Sequence, residues 1–101
     1  MDLSTRAKLE IFVEAHSVGE IERMLKRVGF KGCSVFTGVE GAGSLGAWRQ
    51  TGVDEAGMRL IVTIGAEAAA VAALAWLESY FATYPGVVAV SDVKVLRTDR
   101  F

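Results

Sequence analysis

One pattern occurs twice in this chain, and that repetition constrains the fold more than any single motif. The pattern is an alternating strand, a helix and a second strand. In the first pass, Leu9, Ile11 and Val13 fall on one face of residues 7–15, and Lys8, Glu10, Phe12 and Glu14 on the other, which predicts a strand. Ser17 and Glu20 have the spacing of a capping box. Ile21, Met24, Leu25 and Val28 then form a single helical stripe, supported by the i,i+4 pair Glu22–Lys26 and stopped by Gly29. Gly32 opens a second strand, Cys33-Ser34-Val35-Phe36-Thr37. In the second pass, residues 58–64 alternate Leu60, Val62 and Ile64 against Arg59, Ile61 and Thr63. An alanine-rich helix over about 67–84 turns Val71, Leu74, Ala75, Leu77 and Phe81 inward, and Pro85-Gly86 ends it. Residues 87–96 form a run of Val and Ala that predicts a central strand covered on both faces. Arg97 to Phe101 is a charged tail.

Two such units make a ferredoxin-like βαββαβ domain of the α+β class: a four-stranded antiparallel sheet with both helices on one face. Residues 1–101 read as one such domain. The open face, with Phe12 on it, asks for a partner chain. Composition agrees: at 51% hydrophobic, the chain carries more apolar surface than a small domain hides, so a homo-oligomer is expected. Eleven Lys+Arg against 12 Asp+Glu give net charge −1, which argues against nucleic-acid binding. One Cys excludes a disulfide framework and a cysteine-cluster zinc site, and one His excludes a His-rich metal site from one chain. The start is polar, and the longest apolar stretch, Ala68 to Leu77, is too short to span a bilayer, so a cytoplasmic protein is expected.

Six of the chain's 11 glycines lie in residues 38–57, a predicted flexible loop whose length points to function. Gly41-Ala42-Gly43-Ser44-Leu45-Gly46 fits G-x-G-x-x-G, but Ala47 to Gly52 form no amphipathic helix, so the dinucleotide motif fails. Two readings stand: bare amides that cradle an anion, or a floppy hairpin. Trp48 in this loop is a candidate contact for a ligand or partner. Arg97 and Arg100 read as a solvated tail or as guanidinium forks for phosphate. Tyr84-Pro85-Gly86 is a helix stop that could also cradle a nucleobase or phosphate. His16 reads as a solvated turn residue and Cys33 as a small core residue. No nucleophile is placed with a base, so the chain reads as a non-enzyme.

The order of these elements resembles the PII signal-transduction proteins. The resemblance rests on Gly29-Phe30-Lys31-Gly32-Cys33-Ser34-Val35 entering strand two, Gly41-Ala42-Gly43 in the long loop, and Val90-Ser91-Asp92-Val93 before a closing arginine. Tyr80-Phe81-Ala82-Thr83-Tyr84-Pro85-Gly86-Val87-Val88 and the Gly43-Ser44 step are similar to the PII-like branch linked to carboxysomes and bicarbonate uptake. The resemblance implies a homotrimer with the open sheet faces at its centre and adenine nucleotides in the clefts between subunits. It makes residues 38–57 the T-loop, which changes shape with ligand and docks on a membrane transporter or enzyme. By position, Gly41, Gly43 and Ser44 would meet the phosphates, and Gly32 and Ser34 the adenine or ribose. Tyr84, Gly86 and Val87 would form the far side of the cleft, with Arg97 and Arg100 reaching phosphate. Bicarbonate would join at the loop, with Arg49 as its partner.

Two departures shape the expectation. PII proteins proper carry a longer Gly-rich loop before the last strand, ending in a phosphate-binding lysine; here only Pro85-Gly86 stands there, which favours AMP or ADP over ATP. The T-loop is short and has no tyrosine, so control by uridylylation is not expected. The alternative is a metal-binding ferredoxin-like trimer of the cation-tolerance type. His16, Cys33 and the loop acids would then be ligands, a poor set for a soft metal.

Overall fold

β1 (Ser4–Glu14) is the longest strand and the one the rest is built on. A 3-10 turn, Ala15–Ser17, leads into α1 (Val18–Val28). β2 (Ser34–Thr37), β3 (Glu40–Gly43), β4 (Gly46–Arg49), β5 (Met58–Gly65), α2 (Glu67–Tyr80) and β6 (Gly86–Val95) complete the order. The computed structural model describes residues 1–43, 46–49, 57–97 and 99. β2, β5, β1 and β6 form one antiparallel sheet in that order, the arrangement expected of the ferredoxin-like fold. Among the described residues, no helix is long and apolar enough to cross a membrane.

The alternation in β1 does what it predicts. Leu9, Ile11 and Val13 are wholly buried under the helices, against Ile21, Met24 and Leu25 of α1 and Ala73 and Leu77 of α2. Each such aliphatic side chain contributes about 1.5–3 kcal/mol relative to exposure. Phe12 stays 40% exposed on the other face. The register of β1 on β5 sets Lys8, Glu10 and Phe12 of that open face opposite Ile64, Val62 and Leu60. Ile61 and Thr63 point the other way and are buried.

Gly29 ends α1 as its sequence predicts. It sits at φ +117°, and the Phe30 and Gly29 amides donate to the Leu25 and Lys26 carbonyls at 2.9 and 3.2 Å, the paired bonds of a Schellman motif. Phe30 is thereby turned into the core, flat against Gly65, where an added Cβ would lie 2.6 Å from its ring.

Four local expectations are corrected. Ser17 makes no side-chain cap bond to α1; it is fully buried and its Oγ accepts the Tyr80 hydroxyl proton at 2.7 Å, so the capping-box spacing serves a link between α2 and the start of α1. α2 closes at Tyr80 rather than near 84, and its buried face is Ala69, Ala70, Ala73, Leu77 and Tyr80, while Val71 is 62% exposed. Small alanines let this helix lie close, which moves the contact stripe off the larger side chains. β6 is an edge strand, not a central one, with Val87 and Val90 largely exposed. Its apolar run marks surface that one chain leaves uncovered. The segment read as one long loop contains the β3–β4 hairpin.

Cys33 joins α1 to β2. Its thiol donates to Glu22 Oε2 at 3.9 Å, so Glu22 turns to the cysteine rather than to Lys26. Burial raises the thiol above its ordinary range, and the neighbouring Glu22 charge and hydrogen bond raise it further. Alkylation of Cys33 is therefore slow at neutral pH and climbs only as pH passes the usual thiol range. Glu22→Gln, which removes the charge, will speed labelling several-fold at neutral pH, read by mass spectrometry. The glycine under Phe30 gives a second expectation. Gly65→Ala will cost about 1–3 kcal/mol in denaturant unfolding, because a ring must shift. Gly43→Ala, where nothing lies within 4 Å of the new methyl, will fall within about 0.5 kcal/mol of the parent.

Candidate functional site

The β3–β4 hairpin is organised by one indole. Its register sets Trp48 directly opposite Gly41, and the ring lies across the bare backbone there and at Gly38. A Cβ on Gly41 would come within 2.7 Å of the indole, and one on Gly38 within 3.0 Å. These two glycines are seats for Trp48. The Gly38 amide also donates to the Met58 carbonyl at 2.8 Å, which ties the hairpin to the sheet end. At the tip, Gly46 takes φ +101°, whereas Gly43 lies in regular β3 and needs no positive φ. Glu40 and Arg49 face each other across the strands at 3.5 Å, both well exposed. That exposed pair is worth at most a few tenths of a kcal/mol.

Trp48 walls a groove of about 380 Å³ at the end of the open sheet face. Phe12 and Met58 form its floor, Gly43 and Gly46 its hairpin side, and Pro85, Gly86 and Val87 its far side. Glu14 lines it too, at the end of β1. Gly86 carries the ring of Phe81 where a side chain would otherwise stand, so the turn into β6 can be tight. Tyr84 precedes that turn. It is 42% exposed and stacked on Tyr80 at 4.7 Å, which in turn stacks on Trp76 at 4.8 Å.

Gly32 and Ser34 are elsewhere. They line a second groove of about 170 Å³ on the β2 edge, with Val62, Thr63 and Ile64. Thr63 Oγ1 donates to the Gly32 carbonyl at 2.6 Å and fixes that turn. Arg97 follows β6 at this same end of the sheet, where Val95 pairs with Ser4. Lys31 Nζ donates to the Asp99 carbonyl at 3.1 Å, which sets Asp99 beside the α1–β2 connection.

The residues singled out from sequence thus divide. Gly43, Gly86 and Val87 meet in the first groove, with Gly41 beneath Trp48, whereas Tyr84 lines a separate groove of about 310 Å³ with Trp76, Ser79, Tyr80 and Thr83. Gly32 and Ser34 meet in the second, with Arg97 at the same end of the sheet. Val87 on β6 and Ser34 on β2 stand three strand spacings apart, roughly 14 Å across the sheet. Arg49 pairs with Glu40 on the hairpin, and Ser44 and Arg100 lie outside the described residues. Glu14 and Met58 were missed; the alternation of β1 places Glu14 on the same face as Phe12, which was the available signal. The metal alternative needs His16 and Cys33 together. His16 sits beside Glu14, with Nε2 3.1 Å from Oε1, while Cys33 is on the β2 edge beside Glu22.

The comparisons with known proteins point one way. The family described as Nitrogen regulatory protein P-II matches residues 6–100. No curated protein matches. Among solved structures, the chain is similar to CPII, a nitrogen regulatory PII-like protein from Thiomonas intermedia bound to ADP, AMP and bicarbonate. The identity is 26%, the TM-score 0.89, and the match covers 99% of this chain and 96% of that one. It is also similar to a PII-like signaling protein from Thermus thermophilus, at 27% identity and TM-score 0.83, covering 100% of this chain and 99% of that one. GlnK of B. subtilis shares the fold at 14% identity and TM-score 0.63, over 89% of this chain and 86% of that one. With a match running almost from end to end, the chain belongs to the P-II family.

Proposed function

We propose that this chain acts as a one-domain cytoplasmic regulatory protein, without catalysis, that binds an adenine nucleotide between the subunits of a homotrimer. AMP or ADP is the favoured nucleotide, with bicarbonate as a second ligand. The carrying observation is the division of the site. One chain holds an apolar groove with a glycine turn at one end of its sheet, and a second groove with an arginine-bearing tail at the other. A single protomer cannot bring these together. A closed ring of copies can, because each then offers one end to the next. The exposed Phe12 face supplies the apolar surface for such a ring. ADP, AMP and bicarbonate are what CPII, the similar protein, holds.

The hairpin is the output. Trp48 touches both the groove and the glycines that set the hairpin's course, so a base arriving against Phe12 and Met58 also presses on the indole. A shift of the β3–β4 hairpin would then change the surface shown to a partner, in this reading a bicarbonate transporter or a carboxysome-linked protein.

Subunit mixing tests the site. Val87→Glu puts a charge into the first groove and Ser34→Trp fills the second; each variant alone will lose AMP and ADP binding in calorimetry. Mixed trimers refolded from both will regain about a quarter of the sites, since one random interface in four joins two intact halves. No recovery in mixed trimers, or a parent that light scattering shows to be monomeric, would defeat the inter-subunit reading. The hairpin has its own readout. With Trp76→Phe isolating Trp48, adding ADP or AMP will shift Trp48 emission and slow amide exchange in β3 and β4. Tight binding with both signals still would remove the hairpin from the mechanism.

A further inference from the structure

Among the described residues lining the first groove, Glu14 is the single charged side chain. Its position is fixed by the sheet: it pairs in register with Met58, and its neighbour Val13 pairs with Gly86. The carboxylate is 27% exposed and lines the groove's end, where Oε1 stands 3.1 Å from His16 Nε2 in an exposed contact. The floor and hairpin wall (Phe12, Met58 and Trp48) suit an uncharged aromatic ring. A charged end lying at the Gly86 turn would stand beside Glu14, because Val13 pairs with Gly86.

We propose that Glu14 sets the length of phosphate chain that this groove accepts, admitting a nucleoside monophosphate and opposing a triphosphate. The proposal rests on the reading that an adenine nucleotide occupies the groove. Its physical basis is that each added phosphate brings negative charge towards a fixed carboxylate. Apolar walls lower the local dielectric, so the repulsion is felt more strongly than in water. The penalty therefore grows with phosphate number. With no cation among the described lining residues, a triphosphate gains little at this turn; Glu14 makes the discrimination active, because a repulsive group rejects the wrong ligand as well as failing to attract it.

The test is calorimetry of the full chain with AMP, ADP and ATP, in a chelator so that no divalent cation masks the phosphate charge. Glu14→Gln keeps the shape and the link to His16 but removes the charge. It will tighten ATP about tenfold and AMP no more than about twofold, so the AMP-to-ATP preference narrows by at least about fivefold, with ADP between. Glu14→Ala will narrow it likewise, and Glu14→Asp, which restores the charge, will keep most of the parental preference. If Glu14→Gln and Glu14→Ala leave the preference as it is, or move all three nucleotides equally, Glu14 is not the determinant, although a parent that still binds AMP leaves the groove reading intact. A parent that takes up none of the three would end that reading and this proposal together.

Discussion

The two-sidedness of β1 governs this molecule. Strand geometry sends successive side chains to opposite faces, and in the centre of the sheet both faces matter. Leu9, Ile11 and Val13 seal the helices to the sheet, while Lys8, Glu10, Phe12 and Glu14 look out from the other side. Because β5 and β6 both pair with β1, its register dictates what stands beside Phe12 and Glu14: Leu60 and Met58 on one flank, Val87 on the other. A slip of one residue would bury the charges and empty the groove together. Fold and site thus share one register.

Much of this was legible in the residues, for identifiable reasons. The stripe Ile21, Met24, Leu25, Val28 and the glycine stop at Gly29 are local signals, and local signals survive into the fold. The misread features depend on parts of the chain far away in sequence. Ser17 has the spacing of a cap, but Tyr80, 63 residues on, takes its oxygen. Val71 has the character of a core residue, but the alanines of α2 fit closer to α1 and the sheet. The Val and Ala run of β6 signals burial without saying by what, and within one chain β6 has a neighbour on one side alone.

The candidate site was legible in part. Gly43, Gly86 and Val87 were named from sequence and do meet in one groove. Their separation from Gly32 and Ser34 could not be read from spacing, since it follows from strand order. Glu14 was visible as a charge on the open face, but its place at the groove depends on how the turn at Pro85-Gly86 approaches the end of β1. The glycines of the hairpin were read as flexibility or as a cradle; the fold gives two of them a third use, as room for an indole.

That third use recurs. Gly41 and Gly38 lie beneath Trp48, Gly65 beneath Phe30, and Gly86 beneath Phe81. In each pair, a ring occupies the volume that any larger residue at the glycine would claim. Neither member can drift alone through evolution: a side chain at the glycine displaces the ring, and a lost ring leaves a hole over bare backbone. A change at one member of such a pair thus carries a packing cost that a matched change at both can avoid, so the molecule's most permissive residues are held by the rings above them.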